Sequence, residues 1–124
     1  MTHTTTWEPN GIYWDIFGTL DSKEVIEFNE ELSDYPGLEK MSYFIWDSTK
    51  VKKINADQDD ANLSAMFGNL LSQYNKNVKG AFVINDSTLK ILVQTYIQES
   101  KKMESTWVFM MFENRDEARK WVSL

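Results

Sequence analysis

The chain contains no cysteine, a single histidine and two prolines in 124 residues. Without cysteine there is no disulfide framework and no thiol chemistry, and a reducing, cytoplasmic setting is the expectation. The one histidine, His3, falls in the polar stretch Met1 to Thr5, which reads as a frayed tail. On that reading a histidine-based triad or a histidine metal cluster is excluded. No GxGxxG and no P-loop occurs, so nucleotide phosphate has no recognisable cradle. No apolar run approaches the ~20 residues of a membrane helix. MTHTTTWEP has no basic residue ahead of an apolar run, so a signal peptide is not expected. Positive charge is also in deficit, with 13 Lys and Arg against 19 Asp and Glu for a net charge of −6. That balance argues against nucleic acid and anionic membrane surfaces, which demand a basic footprint.

Apolar residues are plentiful at 42 %, and aromatics reach 14 %. One domain, 1–124, is expected, with a core burying roughly two-thirds of the unfolded chain's surface. The strongest segment is Met41 to Asp47, MSYFIWD, which reads as a strand buried on both faces and ending at an acid. Before it, Thr6 to Glu8 starts a short strand, and Pro9-Asn10-Gly11 signals a hairpin in which Asn-Gly accepts positive φ. Ile12 to Phe17 follows as a strand with Ile12, Trp14 and Ile16 on one face and Tyr13, Asp15 and Phe17 on the other; Gly18 closes it.

Asp21-Ser22-Lys23-Glu24 has the form of a capping box. It opens a helix with Val25, Phe28, Leu32 and Tyr35 inward and its acids, Glu24 and Glu31 among them, mostly outward, ended by Pro36-Gly37. Val51 to Ile54 fits a brief strand or turn. Asp57 to Asp60 precedes a second helix whose stripe is Leu63, Met66, Phe67, Leu70, Leu71 and Tyr74. Ala81 to Ile84 is a short strand, and Asn85-Asp86-Ser87 caps a third helix with Leu89, Leu92, Val93, Tyr96 and Ile97 inward. After a polar connection at Lys101 to Ser105, Trp107 to Phe112 is a strand, and Asn114 to Glu117 caps a last helix facing in through Ala118, Trp121 and Val122. Alternating strands and helices predict an α/β domain with a mostly parallel four- to five-stranded sheet and one N-terminal antiparallel hairpin strand.

Three stretches carry a family resemblance: WEPNGIYWDIFG from Trp7 to Gly18, the strand ending at Asp47, and FENRDEARKWV from Phe112 to Val122. Through them the chain resembles the small bacterial SpoIIAA-like proteins, relatives of the STAS domains that act as anti-sigma-factor antagonists. The resemblance implies a β/α superhelix and a regulatory or binding role. It also implies a phosphorylatable serine after the third strand, where Asn55 occupies the aspartate position and Ala56 that of the acceptor. Asp57 and Gln58 replace the small residue and the glycine that follow, so the acceptor hydroxyl is missing.

Other constellations have plain structural readings. Asp57, Asp59 and Asp60 have oxygens for a hard cation but stand where acids cap a helix. The pair Asp15 and Asp47 has the chemistry for acid–base work but sits at strand ends, where acids serve turns. Lys50, Lys52 and Lys53 form a small solvated patch. No catalytic, cofactor-binding or metal-binding residue is assigned. The aromatic load suggests that both sheet faces are apolar, with the second covered by a partner subunit, an apolar ligand or the N-terminal segment.

The expected function is a non-catalytic binding or regulatory module acting through a protein partner, with homodimerisation; the alternative is a small apolar-ligand or lipid carrier. The expected working edge is the carboxyl end of the strands. It gathers Gly18 and Thr19, Asp47 and Ser48, Asn85 and Asp86, and Glu113 and Asn114, with the Asn55-Ala56-Asp57 turn beside it.

Overall fold

In the computed structural model, which describes residues 2–124, Pro9 and Asn10 turn the chain between two antiparallel strands, β1 (His3–Glu8) and β2 (Gly11–Asp21). The hairpin is where the sequence puts it, but its turn is not of the positive-φ kind, since neither Asn10 nor Gly11 has positive φ. Gly11 is needed for another reason. It lies opposite Tyr43, and a Cβ there would come 2.4 Å from the Tyr43 carbonyl oxygen. The tail reading of residues 2–5 is overturned, because strand pairing starts at His3 opposite Ile16; Met1 lies outside the described residues.

The remaining elements are α1 (Ser22–Ser33), β3 (Tyr43–Asn55), α2 (Gln58–Leu71), β4 (Lys79–Val83), α3 (Ser87–Lys102), β5 (Val108–Phe112) and α4 (Arg115–Val122). The five strands form one mixed sheet in chain order, antiparallel between β1 and β2 and parallel elsewhere. The domain is therefore α/β, and all four expected strand segments belong to one sheet. Side chains that accept main-chain N–H groups start each helix: Asp21 from Glu24 at 2.9 Å, Asp57 from Asp59 at 3.0 Å, Asp86 from Leu89 at 2.9 Å and Asn114 from Glu117 at 2.9 Å. Such caps contribute about 1 kcal/mol apiece.

Strand alternation divides the core in two. Ile12, Trp14, Ile16, Phe44, Trp46 and Phe82 pack with residues of α1, α2 and α3 on one face. Tyr13, Ile45, Ala81 and Val83 pack with Ala118 and Val122 of α4 on the other. The chain's own last helix thus covers Tyr13, Ile45, Ala81 and Val83 on the second face, while Val108 and Met110 of the last strand stay exposed there.

β2 and β3 run past the ends of β4 and β5, which overturns the reading of Gly18 and of Asp47 as strand ends. Register shifts at Asp15/Phe17 and Gly18/Thr19 interrupt their pairing, and Gly18 takes φ +70°. Bulges bend and twist the strand that carries them. The bent β2–β3 arm brings Leu20 and Ala56 to the same cleft as Trp14 and Trp46. No helix among the described residues is long and apolar enough to cross a membrane.

Candidate functional site

The residues expected along the strand ends separate into two places. Asp47 is buried and accepts from the Tyr13 hydroxyl at 2.5 Å and from Thr49 N at 3.1 Å and Oγ1 at 2.7 Å. Ser48 is buried and donates to the Val83 carbonyl at 2.8 Å. Neither offers a free polar group to a partner. Asn55, Ala56 and Asp57 do not lie beside them in the chain path, because β3 continues to Asn55. Asn85 is exposed, and Asp86 is exposed while capping α3. The three acids Asp57, Asp59 and Asp60 form a cap as well. Asp57 accepts from Asp59 N and Asp60 N, and the Asp60 carboxylate accepts from Asp57 N and the Ser22 hydroxyl, both at 2.9 Å.

What Ala56 and Asp57 do adjoin is a cleft between the sheet and α1–α3. Its volume is about 100 Å³. Trp14, Phe28, Phe44, Trp46 and Phe82 wall it, and Ala56, Asp57, Asp60, Ala61 and Ser64 stand along α2's first turns. The aromatic walls brace one another: Trp14–Phe28 centroids are 5.3 Å apart, and Trp46–Phe82 5.6 Å. Tyr96 of α3 reaches in beside Gly68, where a Cβ would come 3.2 Å from its hydroxyl oxygen. Burial drives the Tyr96 phenol well above its ordinary pKa.

A second cluster joins β1 to α1. His3 lies under Phe28, with ring centroids 4.7 Å apart. Its Nδ1 meets Glu24 Oε2 at 2.6 Å and its Nε2 meets Glu31 Oε2 at 2.8 Å. Thr2 and Thr5 donate to Glu24 and Glu31, and Trp14 Nε1 donates to Glu31 at 3.0 Å. A carboxylate at each ring nitrogen favours the doubly protonated ring, in which both nitrogens donate. Burial pulls the His3 pKa down, but the hydrogen bonds and charges of Glu24 and Glu31 outweigh it and the net direction is up. For Glu31, burial pushes up, and its bonds from Thr5, His3 and Trp14 bring it below the usual carboxylate range. His3, Glu24 and Glu27 offer donor atoms within 4.8 Å of one another, a geometry that suits a metal ion. Both imidazole nitrogens are instead engaged by carboxylates, which makes an ion-paired strut. His3 is therefore neither in a tail nor idle, and Glu24 and Glu31 are not outward as expected from the helix pattern; β1 supplies the surface that buries them.

On the opposite side of the sheet, Glu8 ties β1 to α4. Arg119 donates to it through Nη1 at 2.7 Å and Nη2 at 2.6 Å, and Tyr43 donates through its hydroxyl. The Arg119 guanidinium holds the Glu8 carboxyl below its usual pKa. Tyr43 is pushed up to about 12 by burial and by the Glu8 carboxylate.

The largest departure from the sequence expectation is α2. Leu63, Met66, Leu70 and Tyr74 do not face the core; they are 54, 56, 60 and 73 % exposed. The buried side is Ala65, Gly68 and Leu71, with Ala61 and Ser64 half-buried. Hydrophobic patterning by large residues points to Leu63, Met66, Leu70 and Tyr74 as part of the core face. A second stripe of small residues, Ala61, Ala65, Gly68 and Ser72, also has helical spacing and marks the true inner side. No charged residue occurs from Ala61 through Asn75. Comparison with protein-family models, with characterised proteins and with solved structures finds no match for this chain.

Proposed function

We propose that the protein is a non-catalytic, STAS-like binding module on a β/α superhelix. It works through protein–protein contact and pairs with a second copy of itself through the outward face of α2. The observation that carries this reading is a row of large apolar side chains on a charge-free helix face. Exposed apolar patches of this kind mark interaction sites. Charge permits a second copy as occupant at this face, although a chain of net charge −6 repels its own copies over most of its surface. The stretch from Ala61 through Asn75 brings no like charges together, and a two-fold axis crossing it at Met66 sets Met66 against its own mate and Leu63 against Leu70 of the second copy. The acids at strand ends and helix starts are held in caps and strand-side hydrogen bonds, which supports a role without catalysis. With Ala56 at the family's acceptor position, the module works without the serine phospho-switch.

Sedimentation equilibrium of the wild-type chain and of a Met66→Glu, Leu70→Glu variant tests the reading. The expected result is a dimer for the wild type and a folded monomer for the variant. A wild type that stays monomeric at high protein concentration contradicts it, and assembly only with a different protein would replace the second copy as occupant.

The carrier alternative draws on the aromatic cleft, whose volume suits one ring and not an acyl chain.

A further inference from the structure

The sheet ends at β5, which pairs only with β4 and leaves its other rim open. In that parallel ladder Val108 N–H donates to the Val78 carbonyl, and the Phe112 carbonyl accepts from Ile84 N–H, so alternate residues of β5 bond inward. The N–H and C=O of Phe109 and Met111 therefore point away from β4, and no main-chain group of another described residue meets them. We propose that this rim takes up an extended, apolar segment of a partner protein, ended by acids, as an added strand. The inference is independent of whether copies of the chain pair through α2.

The strand sets the kind of segment. Charged side chains, proline or a bulge ordinarily keep stray strands from adding to a sheet edge. β5 has none of these: its residues are VFMMF, and its register with β4 is unbroken. Val108 and Met110 are exposed on the α4 side of the sheet, and Phe109 and Met111 are half-buried on the other. The opposite edge is polar. β1 carries Thr4, Thr5 and Thr6, and a Glu8 that Arg119 holds. An uncharged apolar edge accepts an extended segment whose main chain supplies the hydrogen bonds and whose β-forming side chains lie along both faces.

The groove beside the strand sets the charge. A space of about 340 Å³ lies between the end of α3 and the start of β5, with Ile97, Lys101, Thr106, Trp107 and Phe109 in its lining. A side chain of the added strand beside Phe109 enters it against Ile97 and Trp107. Lys101 is the only charged residue in that lining, and it pairs with no carboxylate among the described residues. An unpaired lysine at the end of an apolar slot attracts a carboxylate, so the acids belong where the segment meets the start of β5. In antiparallel pairing, the slightly more stable kind, that is the segment's C-terminal end.

The probe is a fluorescein-labelled peptide of alternating valine and threonine ending in two aspartates, followed by anisotropy as the full chain is added at low salt. Saturable binding is expected. Methylating the peptide nitrogens that face β5 should weaken it about tenfold, by removing hydrogen bonds. Lys101→Glu should weaken it about fivefold and favour instead a peptide ending in two lysines. Met111→Pro removes an outward N–H and should weaken binding about fivefold; if that variant fails to fold, the methylated peptide still decides. The Met66→Glu, Leu70→Glu chain should bind the peptide as the wild type does, which separates this edge from the α2 face. Absence of saturable binding, equal binding of the methylated peptide, or a Lys101→Glu chain with wild-type affinity for both peptides each overturns the proposal. Dimers of the Met66→Glu, Leu70→Glu chain that Met111→Pro dissolves also overturn it, by making a second copy the occupant of the edge.

Discussion

The inner and outer sides of α2 are built from opposite materials. Inside are Ala61, Ala65 and Gly68, facing a sheet that already supplies Trp14, Phe44, Trp46 and Phe82. Outside are Leu63, Met66, Leu70 and Tyr74, facing solvent. The difference teaches that the sheet's bulk decides what its covering helix can afford. Packing density inside a protein is fixed near that of an organic crystal, so a layer of large rings leaves room mainly for small residues, with Phe67 and Leu71 the large ones that α2 still turns inward. Leu63, Met66, Leu70 and Tyr74 are then free of the fold and available for another surface.

That contrast makes separable demands on variants. Charging the outer side with Met66→Glu and Leu70→Glu should weaken pairing at least a thousandfold, about 4 kcal/mol. The monomer's unfolding free energy should stay within about 0.5 kcal/mol of wild type. Sedimentation and urea unfolding on the same samples check both halves. A control far from α2 comes next. His3→Ala leaves the Glu24 carboxylate buried beside an empty site and should cost about 3 kcal/mol, with pairing unchanged among folded molecules. Enlarging the inner side is smaller in effect. Ala65→Leu should cost about 2 kcal/mol through overpacking, again without altering pairing. If Ala65→Leu instead weakened pairing and spared stability, the assignment of sides would be reversed.

The smallest effect concerns pH and belongs to the His3 strut. Its folded pKa is raised above the unfolded value, so its contribution is complete below about pH 6.5. The contribution fades as pH rises through the raised folded value. Amide exchange of Thr4 to Trp7, corrected for its intrinsic base catalysis, should therefore reveal a looser β1 once the pH exceeds that raised value. In His3→Gln that extra loosening should be absent.

These sites differ in how far the sequence discloses them. Strand segments such as Tyr43 to Trp46 and caps such as Asp86 are local signals, written in alternation and in short polar side chains, and they reappear in the structure at nearly their expected places. The fate of His3 is not local. A polar N-terminal run becomes a strand only because β2 offers an edge, and its histidine is buried only because Glu24 and Glu31 of α1 face that edge. The path beyond Asp47 is likewise set at a distance, since Ser48 and Thr49 form a bulge in β3 opposite Ile16 and the strand resumes its pairing with β2 at Lys50 opposite Phe17. On α2 both stripes were present in the sequence. Choosing between them requires knowing how much volume the sheet had already filled, which no window of one helix contains.

The account's central claim is that the outer side of α2 joins two copies of this chain. Because the chain has no cysteine, a single introduced thiol reports on one position alone. Under mild oxidation, Met66→Cys should give a disulfide-linked dimer in high yield, since a residue at a two-fold axis brings its two Cα atoms within the about 4.4–6.8 Å that a disulfide spans. Ile26→Cys, exposed on α1, should give almost none. Equal yields from both, or none from position 66, would contradict the claim.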